Sequence, residues 1–127
     1  MAAGIQSSVR REQVGRYQLE DLVAESDHCV IWRAYDPSLK RPVGARLVPL
    51  DDARVDDLRD AARNASRVDE HQLARVLDVV ETDESLAIIT EWVSGRPWGE
   101  LLSEPWDPRD ATVVAYEVAR ALAAAHR

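Results

Sequence analysis

Lysine and glycine, two residue types that often hold phosphate groups, are scarce in this chain of 127 residues. Lys40 is the only lysine among 16 basic residues. The five glycines are scattered: Gly4, Gly15, Gly44, Gly95 and Gly99. A glycine-rich phosphate loop needs clustered glycines, because the backbone must come close to the ligand. The sequence therefore excludes such a loop and leaves one residue for any chemistry that needs a lysine amine.

The other residues that could carry out catalysis or bind metal are isolated along the chain. Cys29 is the single cysteine, so a disulfide within the chain is excluded. No cation flanks this thiol closely enough to favour a thiolate, and we expect inert packing, with a redox role as the alternative. His28, His71 and His126 lack the spacing of metal ligands on one helix face. We therefore expect no metal site and no catalytic residue.

The composition restricts the partners and the compartment. The formal net charge of -7 argues against nucleic acid, because phosphates attract clustered positive charge. The apolar runs are far shorter than the roughly 20 residues that span a bilayer, and residues 1–9 lack the apolar segment of a signal peptide. A lone cysteine fits a reducing compartment. We expect a cytoplasmic protein without a membrane span.

Five segments have the β-branched and aromatic composition of strands. Short connections with turn residues join them, and this implies antiparallel neighbours. The predicted strands are Tyr17–Val23, Cys29–Tyr35, Val43–Leu50, Leu73–Val80 and Leu86–Val93.

Helical periodicity lies between the third and fourth strands and again near the end of the chain. Between Asp52 and Val68 the apolar residues fall on one helix face. A short amphipathic piece at Trp98–Leu102 precedes a long helix, which Asp107 can cap and Pro108 can begin. This order predicts an α+β fold: a five-stranded antiparallel sheet with one packed helix, then a short helix and a long C-terminal helix.

Several short motifs are similar to those of bacterial Ser/Thr protein kinases. Gly15–Leu19 resembles the kinase pattern G-R-Y-x-L, Val30–Pro37 resembles V-V-Y-x-A-x-D-P, and Arg41–Arg46 resembles R-x-V-A-x-K. Further along, Leu86–Gly95 resembles the fifth strand and hinge, and Asp107–Arg127 resembles the first long helix of the kinase C-lobe. Each motif is weak alone, and the resemblance rests on their order and spacing.

Residues 1–14 are polar without a clear periodicity, so we expect a flexible leader. The resemblance implies that residues 15–94 form a kinase-like N-lobe and that residues 95–127 form a hinge extension with the first, truncated C-lobe-type helices. Within the family, the chain resembles actinobacterial pseudokinase regions associated with the MurJ-type peptidoglycan precursor flippase. In those regions the kinase fold persists while the catalytic residues are lost.

The phosphate loop of the kinase pattern is degenerate here. Its three glycines align with Ala24, Ser26 and Cys29, and each of these side chains adds bulk where the ATP phosphates would approach. Glu25 and Asp27 add negative charge beside that position. The resemblance therefore implies that ATP and Mg²⁺ do not bind as cofactors.

The ion pair that activates a kinase is also missing. Arg46 aligns with the third-strand lysine, and Ala61 aligns with the helix glutamate that pairs with this lysine. Arg46 could contact phosphate, pair with an acid such as Asp60, or lie at the mouth of the cleft. The resemblance leaves a residual adenine cleft at Leu22, Ile31, Gly44, Thr90, Glu91 and Val93.

Aromatic residues near the hinge could form a surface for a partner. Trp92, Trp98 and Trp106 either pack in the core or form an exposed patch, since tryptophan dominates interface hot spots. The apolar face of the terminal helix could fold back on the sheet or pair with a second copy, which would make a homo-oligomer.

The resemblance implies a pseudokinase and not an enzyme. The catalytic Asp, its Asn partner and the metal-binding Asp-Phe-Gly of a kinase would all follow Arg127. The implied function is that of a protein-interaction or regulatory scaffold in bacterial cell-wall synthesis. Its implied partners are a regulatory kinase, a forkhead-associated domain protein or a flippase-associated region. Two alternatives stay open: the N-terminal fragment of an ATP-binding Ser/Thr kinase, and a sensor domain that binds a ligand in the cleft.

Overall fold

A computed structural model describes residues 12–69, 71, 73–96 and 98–126. In this part of the chain a sheet precedes two helices, and a further helix is inserted between its strands. The strands are β1 Gln13–Val14, β2 Tyr17–Glu25, β3 Val30–Asp36, β4 Arg41–Pro49, β5 Val76–Glu81 and β6 Ser85–Glu91. The helices are α1 Val55–Ala65, α2 Trp98–Leu101 and α3 Pro108–Ala125.

The sheet has six antiparallel strands in the order β1-β2-β3-β4-β6-β5. The prediction of five strands is wrong by one, because β1 lies inside the segment expected to be a flexible leader. Two residues are too few to show strand periodicity, but Val14 is buried in the core and pairs with Tyr17. The rest of that leader, residues 1–11, lies outside the described residues.

The core lies on the face where β2, β3, β4 and β6 direct their small and branched side chains. Ala34, Val43 and Ala45 are fully buried, and Ala87 and Ile89 of β6 pack against them. The adjoining α1 directs Val55 and Ala62 inward and contacts β5 and β6. The predicted helix between Asp52 and Val68 is therefore confirmed with shorter ends.

The sheet curls until its two edges meet. Tyr17 of β2 donates a hydrogen bond from its hydroxyl to Asp78 Oδ2 of β5 at 2.8 Å, although these strands stand four places apart in the sheet order. Beside this bond, Gly15 has a left-handed φ of 58°, and a Cβ there would lie 3.2 Å from Val80 Cγ1. Glycine suits this close turn on both counts.

The turn between β3 and β4 is organised by a buried carboxylate. Asp36 is 1% exposed and accepts two hydrogen bonds from the Arg16 guanidinium, each 3.2 Å long. It also accepts from the backbone amides of Ser38 at 2.9 Å and Leu39 at 3.3 Å. Burial acts to raise the pKa of Asp36, but these donors outweigh it and hold the pKa below the ordinary value.

The single lysine of the chain has a structural position in this turn. Lys40 adopts a left-handed φ of 53°, a conformation that costs a residue with a Cβ about 1–2 kcal/mol. We expect Lys40→Gly to raise the free energy of unfolding by about 0.5–1 kcal/mol, because glycine removes this cost and loses slightly more entropy on folding. Urea denaturation measures the change. The control Ser38→Gly lies in the same turn without a left-handed φ and should lower stability; an equal gain in both variants would contradict this account.

The start of α3 follows the sequence signals. Asp107 accepts from the Arg109 backbone amide at 2.8 Å, and Pro108 occupies the first helical position. The helix ends at Ala125 instead of continuing to the last residue as predicted, and His126 forms its C-cap. Among the described residues, no helix has both the length and the apolar character that crossing a membrane requires.

Candidate functional site: a cleft between the sheet and helix α1

A cleft of about 410 Å³ lies between the sheet and α1. Only two of its lining residues are polar, Arg46 and Thr90. The lining residues are Ile31, Gly44, Ala45, Arg46, Leu58, Ala61, Ala62, Ala65, Ala74, Val76, Ile88 and Thr90. Five of the eleven positions that the sequence assigned to a nucleotide site thus come together: Ile31, Gly44, Arg46, Ala61 and Thr90.

The strand register brings these residues to one wall. Ile31 of β3 pairs with Arg46 of β4, and Gly44 of β4 pairs with Thr90 of β6. A Cβ on Gly44 would lie 2.8 Å from Thr90 Oγ1, closer than real Cβ atoms come. Gly44 therefore lets the Thr90 side chain occupy the wall of the cleft.

Arg46 lies at the mouth of the cleft and is exposed. The expected pairing with Asp60 is not found, since no ion pair joins Arg46 to any described acid. Ala61 of α1 lines the same cleft and offers no carboxylate. Within the described ranges, Arg46 therefore has no carboxylate partner in the cleft, where a kinase has a cation–carboxylate pair.

A different arginine ties α1 to the sheet, and sequence reasoning did not identify it. The Arg59 guanidinium donates to Asp56 on the same helix and to Glu81 at the end of β5. The bond to Asp56 and then the bond to Glu81 raise the pKa of Arg59 above its ordinary value. The three-residue spacing of Asp56 and Arg59 was visible in the sequence, but the pairing with Glu81 depends on how α1 packs.

The backbone amides of the loop between β2 and β3 donate hydrogen bonds within the loop itself. The Ser26 amide donates to Cys29 O at 2.9 Å. The amides of His28 and Cys29 both donate to Ser26 Oγ at 3.3 Å. A phosphate-binding loop must present free amides to its ligand, and these three are already bonded within the loop.

The acidic residues of that loop are exposed beside this turn. Glu25 and Asp27 are both solvent-exposed. His28 Nδ1 lies 3.7 Å from Asp52 Oδ2, across to the segment after β4. Ala24 pairs in the β2–β3 ladder with Ile31, which lines the cleft, but none of the three replaced glycine positions lines it.

Three of the predicted adenine positions lie away from the cleft. Leu22 is 49% exposed and Val93 is 64% exposed, and neither lines the cavity. Glu91 is held by Arg75 instead: its amide donates to Arg75 O at 2.9 Å, and its carboxylate accepts from the Arg75 amide at 3.1 Å.

The predicted tryptophan patch divides into two places. The rings of Trp98 and Trp106 lie 5.4 Å apart at a tilt of 54°. With Leu102 and the apolar face of α3, they line a groove of about 470 Å³. Trp92 does not line this groove, and the Arg33 guanidinium lies over its ring at 5.6 Å.

The chain is similar to known bacterial kinases over much of its length. It is 26% identical over 119 residues to the serine/threonine-protein kinase PrkC of Bacillus subtilis. The aligned region covers 89% of this chain and 18% of PrkC. It is 32% identical over 98 residues to the serine/threonine-protein kinase PksC of Streptomyces coelicolor. This aligned region covers 71% of this chain and 18% of PksC. The chain thus spans less than a fifth of the curated relatives that it matches.

The backbone of this chain is also similar to that of a solved structure. PpkA-294 in its apo form superposes with a TM-score of 0.65 at 18% identity, over 74% of this chain and 41% of that chain. No model of a known protein family matches the chain. Taken with the two kinase relatives, the superposition leads to one conclusion: the chain has a protein kinase-like fold.

Proposed function

We propose that this chain is a catalytically inactive pseudokinase module that serves as a protein-interaction or regulatory scaffold in bacterial cell-wall synthesis. The observation that carries the proposal is the cleft mouth, where Arg46 is exposed and Ala61 replaces the carboxylate that would pair with it. The cell-wall role and the partners rest on the resemblance to actinobacterial pseudokinase regions. The partners are a regulatory kinase, a forkhead-associated domain protein or a flippase-associated region.

The electrostatics of the loop support the inactive state. A nucleotide in the cleft would place its phosphates near Glu25 and Asp27, which repel them. The bonded amides of Ser26, His28 and Cys29 offer no compensating donors. Mg²⁺ bound to the phosphates would reduce this repulsion, but no described residue that lines the cleft has a carboxylate to hold the metal, so we do not expect ATP and Mg²⁺ to be cofactors of this chain.

One observation favours a second function, the N-terminal part of an ATP-binding Ser/Thr kinase. The groove of Trp98, Trp106 and α3 is almost wholly apolar, and a following helical layer would bury it. Val118 and Leu122 on its rim are each about half exposed. Under this alternative, later residues would supply the catalytic loop and metal ligands.

Titration with Mg·ATP distinguishes the two functions. A ligand present at 100 times its Kd stabilises a protein by about 2.7 kcal/mol. We expect millimolar Mg·ATP to leave the melting temperature of the wild-type chain unchanged. We expect the same for Arg46→Lys, because the loop acids and Ala61 remain. Differential scanning fluorimetry measures both.

The control restores the kinase pattern as a whole. It combines Ala24→Gly, Ser26→Gly, Cys29→Gly, Arg46→Lys and Ala61→Glu with Glu25→Gln and Asp27→Asn, which neutralise the loop acids. Stabilisation of this variant alone by Mg·ATP would support the proposal. Micromolar binding by the wild-type chain, or by Arg46→Lys alone, would contradict it and favour the kinase.

A further inference from the structure

A second cavity, of about 540 Å³, lies at the sheet end where β4 and β5 begin and where α1 and β6 end. Its lining residues are Arg41, Ser66, Arg75, Val76, Leu77 and Glu91. Val76 also lines the cleft, so the two cavities are neighbours. Nothing in the kinase pattern described above assigns a role to this second cavity.

The charged groups of the cavity make it cationic in an acidic protein. Two arginines face one carboxylate, whereas the whole chain has a formal net charge of -7. The side chains of Arg41 and Arg75 form no ion pair with any acid in the described ranges. Arg75 does hold Glu91, but through its backbone amide at 3.1 Å, so no acid in the described part of the chain pairs with its guanidinium.

A neighbouring hydroxyl adds a polar group to the wall. Ser66, the C-cap of α1, donates its hydroxyl hydrogen to Arg63 O at 2.6 Å. The Ser66 oxygen is therefore a fixed acceptor, and the two guanidiniums supply the donors of the cavity. Each guanidinium carries five N–H donors in a planar fork that matches the oxygens of a phosphate or carboxylate.

We propose that this cavity binds a phosphoryl monoester or inorganic phosphate between Arg41 and Arg75. A phosphoryl group brings three acceptor oxygens and a charge near -2, so it can bond to both guanidiniums at once, whereas one carboxylate satisfies a single fork. The Glu91 carboxylate also lines the cavity, and its bond from the Arg75 amide offsets part of its repulsion of the anion. The proposal is independent of the proposed function, because Arg41 and Arg75 do not line the cleft and the proposed function gives them no role.

Isothermal titration calorimetry at constant ionic strength tests the site with two probes, inorganic phosphate and a phosphothreonine peptide. We expect saturable binding with a Kd near or below about 1 mM. Arg41→Gln and Arg75→Gln should each weaken it about tenfold or more, as the loss of a charge-assisted hydrogen bond implies. Both side chains are exposed, so the variants should fold, and circular dichroism checks this.

Arg109→Gln is the matched control. It removes the same charge from an exposed arginine on α3 and should leave the Kd unchanged. Amide NMR shifts at Ser66, Val76 and Leu77 upon phosphate addition would place the ligand in this cavity. Tighter binding of the peptide than of phosphate would identify a phosphopeptide as the ligand, and equal binding would identify the free anion. Absence of binding by both probes, or equal weakening by Arg109→Gln, would overturn the proposal.

Discussion

Replacement of Asp36 by alanine should lower the free energy of unfolding by about 2 to 4 kcal/mol. The carboxylate is buried and accepts four hydrogen bonds, two of them from the Arg16 guanidinium. Alanine leaves the amides of Ser38 and Leu39 without their acceptor and removes the partner of the Arg16 guanidinium. Chemical denaturation measures the loss.

The pH dependence of stability isolates the charge of Asp36. Its pKa in the fold lies below the ordinary value of 3.8, so the carboxylate stabilises the fold above that pH. The stabilisation disappears as the pH falls through the lower, folded-state pKa. We expect Asp36→Asn to be less stable than wild type at neutral pH and the difference to shrink in acid below about pH 3.8.

A carboxylate without such contacts provides the control for Asp36. Asp83 is exposed at the β5–β6 turn, and Asp83→Asn should leave the acid limb of the stability curve unchanged. A constant difference between wild type and Asp36→Asn down to the acid unfolding limit would contradict the charge argument.

Tyr17→Ala should lower the free energy of unfolding by about 3 to 5 kcal/mol, more than Asp36→Ala. The ring is 2% exposed and packs in the core, while its hydroxyl closes the sheet through Asp78. Tyr17→Phe keeps the ring and removes only the bond, and it should cost about 1.5 to 3 kcal/mol, the range for a hydrogen bond to a charged group. Urea denaturation separates the two contributions.

Alkaline titration reports the same contact. Burial, and then the hydrogen bond and charge of Asp78, raise the pKa of Tyr17 from 10.0 to about 12. Its contribution to stability is complete below about pH 10 and is lost as the pH rises through about 12. Phenolate absorbance should show a late titration phase that Tyr17→Phe removes and that the exposed control Tyr116→Phe retains. Loss of the late phase in Tyr116→Phe instead would contradict the assignment.

The elements with local signals were predictable from the sequence. Asp107 and Pro108 define the start of α3 by contacts within one helical turn. The residue types at these neighbouring positions were therefore enough to predict where the helix begins. The β-branched run of β3 and the paired prolines around the following turn likewise identify a hairpin. By contrast, β1 has only two residues, and its pairing with β2 depends on Val14 reaching the core.

The candidate site was predictable only where strand register fixes neighbours. Ile31, Gly44, Arg46 and Thr90 meet because β3, β4 and β6 are paired without a bulge at these positions. Leu22 follows a register shift in β2 between Leu19 and Asp21, and it is half exposed. The bonds that close the Ser26 turn and the cavity of Arg41 and Arg75 depend on loop geometry that residue spacing does not encode.

The closure of the sheet across Tyr17 and Asp78 also affects how the chain folds during synthesis. The two residues are separated by 61 positions, and a ribosome adds about 5 to 20 residues per second. Asp78 is therefore synthesised roughly 3 to 12 s after Tyr17. During that interval β2, β3 and β4 can pair only as an open sheet, whose β4 edge stays unpaired until β6 is made. The chain is therefore most exposed to aggregation while only its N-terminal half has been synthesised. Faster elongation through residues 50–91 would shorten this stage.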